Sequence, residues 1–286
     1  MSLTEEQQRI MDSLIEEALP YNDNTEDVAI VELADTENTF IPIQENSITL
    51  LQNDQTLRFS SADWFEKIRK QDVILAGLGG IGSWCALLLS RLDIRYLTLF
   101  DDDVVDSVNL AGQFYKKSQI KQFKTSVISE AVREYSNYYN CNVYKNKFNG
   151  GSPASEIMIC GFDNMEARKI FYRRWSVYLE QYPSKANESL FIDGRLSADT
   201  FQVLCIKGDD VYNRKRYEEK FLFDDSEADE TICSFKQTSF MANMIASYMV
   251  NLFVNFISNL SNPDIEKSIP FFTEFDSNTL YCKQEY

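Results

Sequence analysis

The sequence predicts an α/β fold, a mostly parallel sheet with helices on both faces, extended at its N-terminus by a small α+β segment. Three observations carry this expectation. From residue 72 onward, short apolar runs alternate with longer stretches of helical spacing, the pattern of βαβ units. One of those runs, DVILAGLGGIGS at 72–83, ends in glycines spaced GxGxxG and leads straight into a helix. Several runs also stop at polar turns, namely Asp101-Asp102-Asp103, Asp163-Asn164 and Asp193-Gly194-Arg195. Open parallel sheets bind ligands at such carboxyl ends.

Taken in order, residues 3–18 have apolar side chains at helical spacing (Ile10, Leu14, Ile15, Ala18), with Thr4 as a cap and Pro20 as a stop. Val28 to Leu33, Phe40 to Ile43 and Ile48 to Leu51 read as a small β-meander. Residues 1–57 are therefore expected to form an extension, and 58–286 the main unit. Ser60 or Ser61 is expected to cap a helix over Asp63 to Lys70. Val73 to Ala76 is too continuously apolar for a half-exposed strand and reads as a buried parallel one. Ser83 to Leu92 follows as a helix and Tyr96 to Phe100 as the next strand. Lys124 to Tyr138 is helical, Asn142 to Tyr144 a short strand, Ile157 to Cys160 a buried strand and Glu166 to Leu179 a helix. Leu190 to Ile192 is a strand that stops at Asp193, and Thr200 to Ile206 alternates as a strand should. Residues 208–230 read as a charged loop or partly helical excursion, densest in acid from 224 to 230. Phe235 to Leu260 is a long helix. Its polar stripe (Asn243, Ser247, Asn251, Asn255, Asn259) marks a solvent face or an inter-helix seam. Ile269 to Tyr281 adds one or two strands. There is no internal repeat.

Composition excludes several chemistries. The chain of 286 residues carries 44 Asp+Glu against 28 Lys+Arg, a net charge of -16. Such a balance argues against a nucleic-acid backbone or an anionic membrane as partner. The start, MSLTEEQQ, has no secretory character, and Met244 to Ile257 is short for a membrane span and holds Asn251 and Asn255. The six cysteines include no CxxC pair, which excludes the usual zinc knuckle and fits reduced thiols in a cytoplasmic protein. With no histidine at all, any imidazole base or His-bound metal is excluded.

What remains is phosphate chemistry. Gly77, Gly79, Gly80 and Gly82 let backbone approach a phosphate at a helix N-terminus, where free N–H groups and the helix dipole favour negative charge. Asp101 lies about twenty residues past the last glycine, where a carboxylate accepts hydrogen bonds from ribose hydroxyls. Asp163, with Asn164 beside it, ends a later strand and suits Mg²⁺ on a triphosphate; its competing role is to cap the helix that follows, which Asn164 can also do.

GLGGIGS, LFDDDVVDSVNLAGQ, the lysine at 124 and CGFDNMEAR, in that order, resemble the ThiF/MoeB superfamily, the adenylating core of ubiquitin-activating enzymes. The likeness covers roughly 58–260. It implies a Rossmann-like fold, usually a homodimer, that uses ATP and Mg²⁺ to adenylate a carboxylate, commonly the C-terminus of a ubiquitin-like or sulfur-carrier protein or peptide. On the matching motifs, Asp101 corresponds to the ribose-binding aspartate and Asp103 to the second acidic position. Asn109 and Gln113 correspond to the ends of the family's NLxRQ segment, Lys124 to the phosphate-contacting lysine and Asp163 to the magnesium-associated aspartate. Arg58, in Leu57-Arg58-Phe59-Ser60, matches an arginine that reaches the neighbouring subunit's ATP; the alternative is an ordinary surface arginine.

Two departures from the family pattern stand out. Gly112 occupies the place of the NLxRQ arginine, with Lys116 or Lys117 as possible substitutes, and the zinc-binding cysteine pairs of many members are absent. Cys233 sits where some relatives carry a thioester-forming cysteine, but Asp229 and Glu230 would raise its pKa, and a structural role suits it better. The expected function is ATP-dependent adenylation. Gly112 keeps a catalytically inactive scaffold subunit open as an alternative. An NAD-binding oxidoreductase would share the glycine loop and Asp101 but leaves Lys124 and Asp163 unexplained.

Overall fold

The computed structural model describes residues 54–223 and 238–286. The N-terminal helix and meander expected before residue 52, the acidic run 224–230, Cys233 and Phe235 lie outside the described residues. The chain forms α1 (Phe65–Ile68), β1 (Asp72–Ala76), α2 (Gly80–Arg91), β2 (Tyr96–Phe100), α3 (Lys124–Ser136), β3 (Cys141–Tyr144) and β4 (Ile157–Cys160). It continues through α4 (Met165–Gln181), β5 (Leu190–Leu196), β6 (Thr200–Lys207), α5 (Val211–Lys220), α6 (Ser239–Ser261), β7 (Phe272–Asp276) and β8 (Tyr281–Glu285).

All eight strands join one sheet in the order β3-β2-β1-β4-β5-β6-β7-β8. The first five are mutually parallel and the last three are added antiparallel. The period-two alternation of a strand sorts the core into two layers. Val73 and Leu75 of β1, with Ile157 and Ile159 of β4, pack on α2, α3 and α6. Ile74, Ala76 and Met158 face the other way, onto an aromatic layer of Phe171, Tyr172 and Trp175 from α4 and Tyr217 from α5. Helices on both faces explain why these strands read as unbroken apolar runs.

Three boundaries differ from the sequence-based expectation, each for a physical reason, and one open alternative is decided. Helix α2 begins at Gly80 rather than Ser83, because the glycine turn is itself the first helical turn, with Gly79 as N-cap. The 63–70 helix shrinks to α1, because Ser60 Oγ donates to the Leu57 carbonyl at 3.1 Å instead of capping. Within 208–230 the partly helical alternative is the one that holds, with Val211–Lys220 regular helix, capped by Asp210 accepting from Asn213 N at 3.0 Å. Strand β5 does not stop at Asp193. It continues through Gly194 and Arg195 to Leu196, paired residue for residue with β6.

Helix α6, at 23 residues, is longer than the apolar stretch visible in the sequence and is long and apolar enough, by length and composition, to cross a bilayer. Its Ile245, Met249 and Phe253 are instead spent on the core. Part of its polar stripe serves the chain that follows: Asn259 Nδ2 donates to the Lys267 carbonyl at 2.8 Å and Asn255 Nδ2 to the Ser268 carbonyl at 2.9 Å.

Candidate active site

The carboxyl ends of β1, β2 and β4 open into a cleft of about 790 Å³. Its floor is glycine. Gly77 has φ +82°, and a Cβ there would stand 2.7 Å from the backbone of Gly161 and Phe162. Gly82 lies beneath, in the first turn of α2, where a Cβ would come within 1.9 Å of the Gly77 carbonyl oxygen. A Cβ on Gly161, the residue after β4, would stand 2.6 Å from that same oxygen. Three backbones thus meet at one point, which only residues without a Cβ allow. By contrast, a Cβ on Gly79 would meet nothing closer than Gln113 Nε2 at 3.9 Å, so Gly79 faces open cleft. Gly82→Ala is expected to lower the melting temperature by about 5–10 °C, since backbone cannot yield as a flexible side chain does. Thermal unfolding followed by circular dichroism measures this, and an unchanged midpoint contradicts the three-backbone contact.

Asp101 ends β2. Its Oδ2 accepts from Leu78 N at 2.6 Å and its Oδ1 from Asp103 N at 2.8 Å, which locks the carboxylate against the glycine loop. Burial raises the Asp101 pKa, and Lys124 and the two backbone donors oppose that rise. Lys124 begins α3; its Nζ, almost wholly buried, donates to Asp103 Oδ2 at 2.7 Å, and its backbone N to the Asp103 carbonyl at 3.0 Å. Ser107–Ala111 forms a single tight turn in which Asn109 Oδ1 accepts from Asp106 N at 2.8 Å. The segment after that turn is pinned over the loop by Tyr115, whose hydroxyl donates to the Leu78 carbonyl at 2.6 Å. Gln113 lines the cleft beside it, and its buried Oε1 has no partner among the described residues. An acceptor left so calls for a donor from the cleft side.

The capping question at β4 resolves cleanly. Asn164 is the N-cap of α4, accepting from Ala167 N at 2.9 Å, while its Nδ2 donates to Asp163 Oδ1 at 3.2 Å. Asp163 is thereby free of the cap and exposed to the cleft. Among the described residues no three His, Cys, Asp or Glu converge into a metal cage. A magnesium ion that arrives with phosphates needs only one or two carboxylates, so the donor set fits that use.

Of the sequence-derived site residues, Gly77, Gly79, Gly80, Asp101, Asp103, Asn109, Gln113, Lys124, Asp163 and Asn164 all line this one cleft. Gly82 supports it from below. Arg58 is exposed and lies outside it. Neither Lys116 nor Lys117 reaches it; Lys116 Nζ pairs with Glu134 at 3.2 Å. The Gly112 carbonyl accepts from Trp84 Nε1 at 3.2 Å, and the residue does not line the cleft.

Three cations also line the cleft: Arg195, from the Asp193-Gly194-Arg195 segment expected at the ligand-binding edge, and Lys147 and Arg168, to which the sequence reading gave no role. Lys147 lies just beyond β3 and pairs with no described carboxylate. Arg168 closes the CGFDNMEAR motif and is buried; it donates to Asp193 Oδ1 and the Phe162 carbonyl, and to the Gly194 carbonyl at 3.1 Å. Burial is the largest influence and would lower its pKa, but Asp193, Cys160, Tyr217 and Asp163 together turn the shift upward, so it stays charged. Its bond to Phe162 fixes the backbone just before Asp163. Burial and Asp193 also push the Tyr217 phenol well above its ordinary value, which keeps its hydroxyl a donor to Asp193 Oδ2 at 3.0 Å. Burial pushes the thiols of Cys85, Cys160 and Cys205 up to about 12, so none is a ready nucleophile.

Comparison with known proteins points one way. A family model described as the ThiF family matches residues 52–285. The ubiquitin-like modifier-activating enzyme 5 of Dictyostelium discoideum is 36% identical over 122 residues, covering 36% of this chain and 32% of the relative. Its Arabidopsis thaliana counterpart is 34% identical over 77 residues, 27% of this chain and 18% of the relative. The chain thus spans about a third of the length of the first and less of the second. Among solved structures, PaaA superposes with a TM-score of 0.62 at 14% identity, over 100% of this chain and 83% of its own. Escherichia coli MccB, crystallised with ATP, gives 0.57 at 16% identity over 78% of this chain and 65% of its own. At such identities the likeness is one of fold.

Proposed function

This chain belongs to the ThiF family, and from that premise we propose that it uses ATP to adenylate the C-terminal carboxylate of a small protein or peptide. The observation that carries the proposal is the cleft itself. A ribose-type acceptor (Asp101), a glycine loop at a helix N-terminus and an exposed carboxylate (Asp163) stand at the ends of adjacent strands β2, β1 and β4, with a lysine (Lys124) at the start of α3 lining the same cleft. Relatives that activate ubiquitin-like modifiers, and MccB solved with the peptide MccA, support a polypeptide C-terminus as substrate class.

In the proposed reaction the substrate carboxylate oxygen attacks the α-phosphorus of ATP, a new acyl–phosphate bond forms, and pyrophosphate leaves with the bonding pair. No base is required, because a terminal carboxyl, with a pKa of about 3.5, is already ionised near neutrality. The absence of histidine is therefore no obstacle. Asp101 accepts from the ribose hydroxyls, and Gln113 Oε1 offers a second acceptor. The loop N–H groups and Lys124 stand against the phosphates, where charge develops on the leaving group. Lys124 is held to Asp103, which orients its ammonium in advance. Asp163 would hold Mg²⁺, which supplies charge neutralisation on the phosphates when bound. The family's dimer, with Arg58 serving the partner's nucleotide, suits an arginine that is exposed and outside its own cleft.

Gly112 favours a second reading, a scaffold that keeps the fold without activity, since one lost charged donor costs roughly a hundredfold in rate. Calorimetric titration separates the readings first. Binding of ATP with Mg²⁺ at micromolar affinity and none of NAD is the expected result, whereas tight NAD binding without ATP binding defeats the proposal. Pyrophosphate–ATP exchange, dependent on an added carboxyl terminus, then distinguishes enzyme from scaffold.

A further inference from the structure

Asp193 is fully buried inside the sheet, yet two guanidinium groups hold it where one would neutralise it. Arg168, itself buried, is consumed by Asp193 and by two backbone carbonyls. Arg195 is therefore the surplus charge, and it sits in the cleft wall with its side chain 15% exposed. Its Nε donates to Asp193 Oδ2 at 2.9 Å and its Nη2 to the Phe221 carbonyl at 2.7 Å. Its Nη1 has no partner among the described residues. Leu196 and Phe223 flank it in the cleft, the Phe223 ring 5.7 Å from the guanidinium carbon.

Position decides what such a group can bind. The strand order β2-β1-β4-β5 places Arg195 three strands from Asp101, about 14 Å at the usual strand spacing. Asp101, the glycine loop and Asp163 stand at the three nearer strands, and Arg195, on β5, forms part of the far wall of the same cleft. We propose that Arg195 binds the carboxylate to be activated, with Leu196 and Phe223 against the apolar part of its terminal residue. This rests on the adenylation reading of the same cleft. Asp193 and Phe221 hold the guanidinium in place, so little side-chain freedom is lost on binding, and its planar fork matches a carboxylate. A local cation also answers a general obstacle, the repulsion that a chain of net charge -16 exerts on an incoming anion.

Equilibrium dialysis tests the assignment with two pools of random hexapeptides that differ only in ending in a free carboxylate or a carboxamide. The α,β-methylene analogue of ATP and Mg²⁺ are present throughout. Wild-type protein should retain the carboxylate pool about tenfold over the carboxamide pool. Arg195→Gln, which can still donate to Asp193 and so spares the fold, should abolish the preference, and Arg195→Lys should keep part of it. Calorimetric affinity for the ATP analogue should be the same in all three proteins. No preference in wild type, an undiminished preference in Arg195→Gln, or weakened nucleotide binding in that variant overturns the assignment. If wild type binds no nucleotide, the adenylation reading fails first and takes the assignment with it.

Discussion

Asp163→Ala is expected to slow pyrophosphate–ATP exchange by about a hundredfold or more while weakening ATP binding far less. The reason lies in the division of labour at the end of β4. Asn164 performs the helix-capping duty, so Asp163 contributes nothing obvious to folding and its loss should leave the melting temperature unchanged. In the proposed reaction its carboxylate, exposed to the cleft, would hold magnesium while charge on the phosphates grows as pyrophosphate departs. An interaction that strengthens toward the transition state shows in the rate more than in ground-state binding. Asn164→Ala provides the contrast: it should cost about 1 kcal/mol of stability through the lost cap. Exchange by Asp163→Ala at the wild-type rate would place the metal and the chemistry elsewhere.

Asp193→Ala should destabilise the protein by about 3–5 kcal/mol, the usual result of removing one partner of a buried ion pair. It strips the counter-charge from buried Arg168, leaves Arg195 with only its bond to Phe221, and orphans the Tyr217 hydroxyl. For a unit of this size that corresponds to a fall in melting temperature of about 10 °C or more. Asp193→Asn, which retains an acceptor, should fall between wild type and Asp193→Ala. A melting temperature within about 2 °C of wild type for Asp193→Ala would mean that the two arginines find other partners, and the network would have to be redrawn.

The two predictions draw on different sources of information. Asp163 was legible in the sequence because its position is local: an apolar run of four residues ends, a polar residue follows, and a helix begins. The same holds for β1, β2 and β4, for the glycine loop and for Asp101. Burial on both faces makes such strands continuous apolar runs, and their last residue marks the ligand-binding edge. Lys124, Asn109 and Gln113 were legible only through the ordered family motifs, since nothing in their spacing says that they fold back over the loop.

Asp193-Gly194-Arg195 shows where local reading ends. Two charges and a glycine look like a turn, yet they lie inside β5 because Arg168, 25 residues away in sequence, neutralises Asp193 and because β6 continues the ladder past them. Lys147, in a polar stretch without pattern, becomes a cleft cation only when β3 takes its place at the sheet edge. Lys116 and Lys117, near in sequence to the missing arginine, do not line the cleft; Lys116 pairs instead with Glu134 and lies over Tyr135 of α3. By itself, then, the sequence determined the parallel half of the sheet, the glycine loop and the acidic strand ends, since each follows from the hydropathy and backbone freedom of neighbouring residues. Only the tertiary structure decided which charges are neutralised and which remain free, because a charge's partner is set by packing between elements distant in the chain.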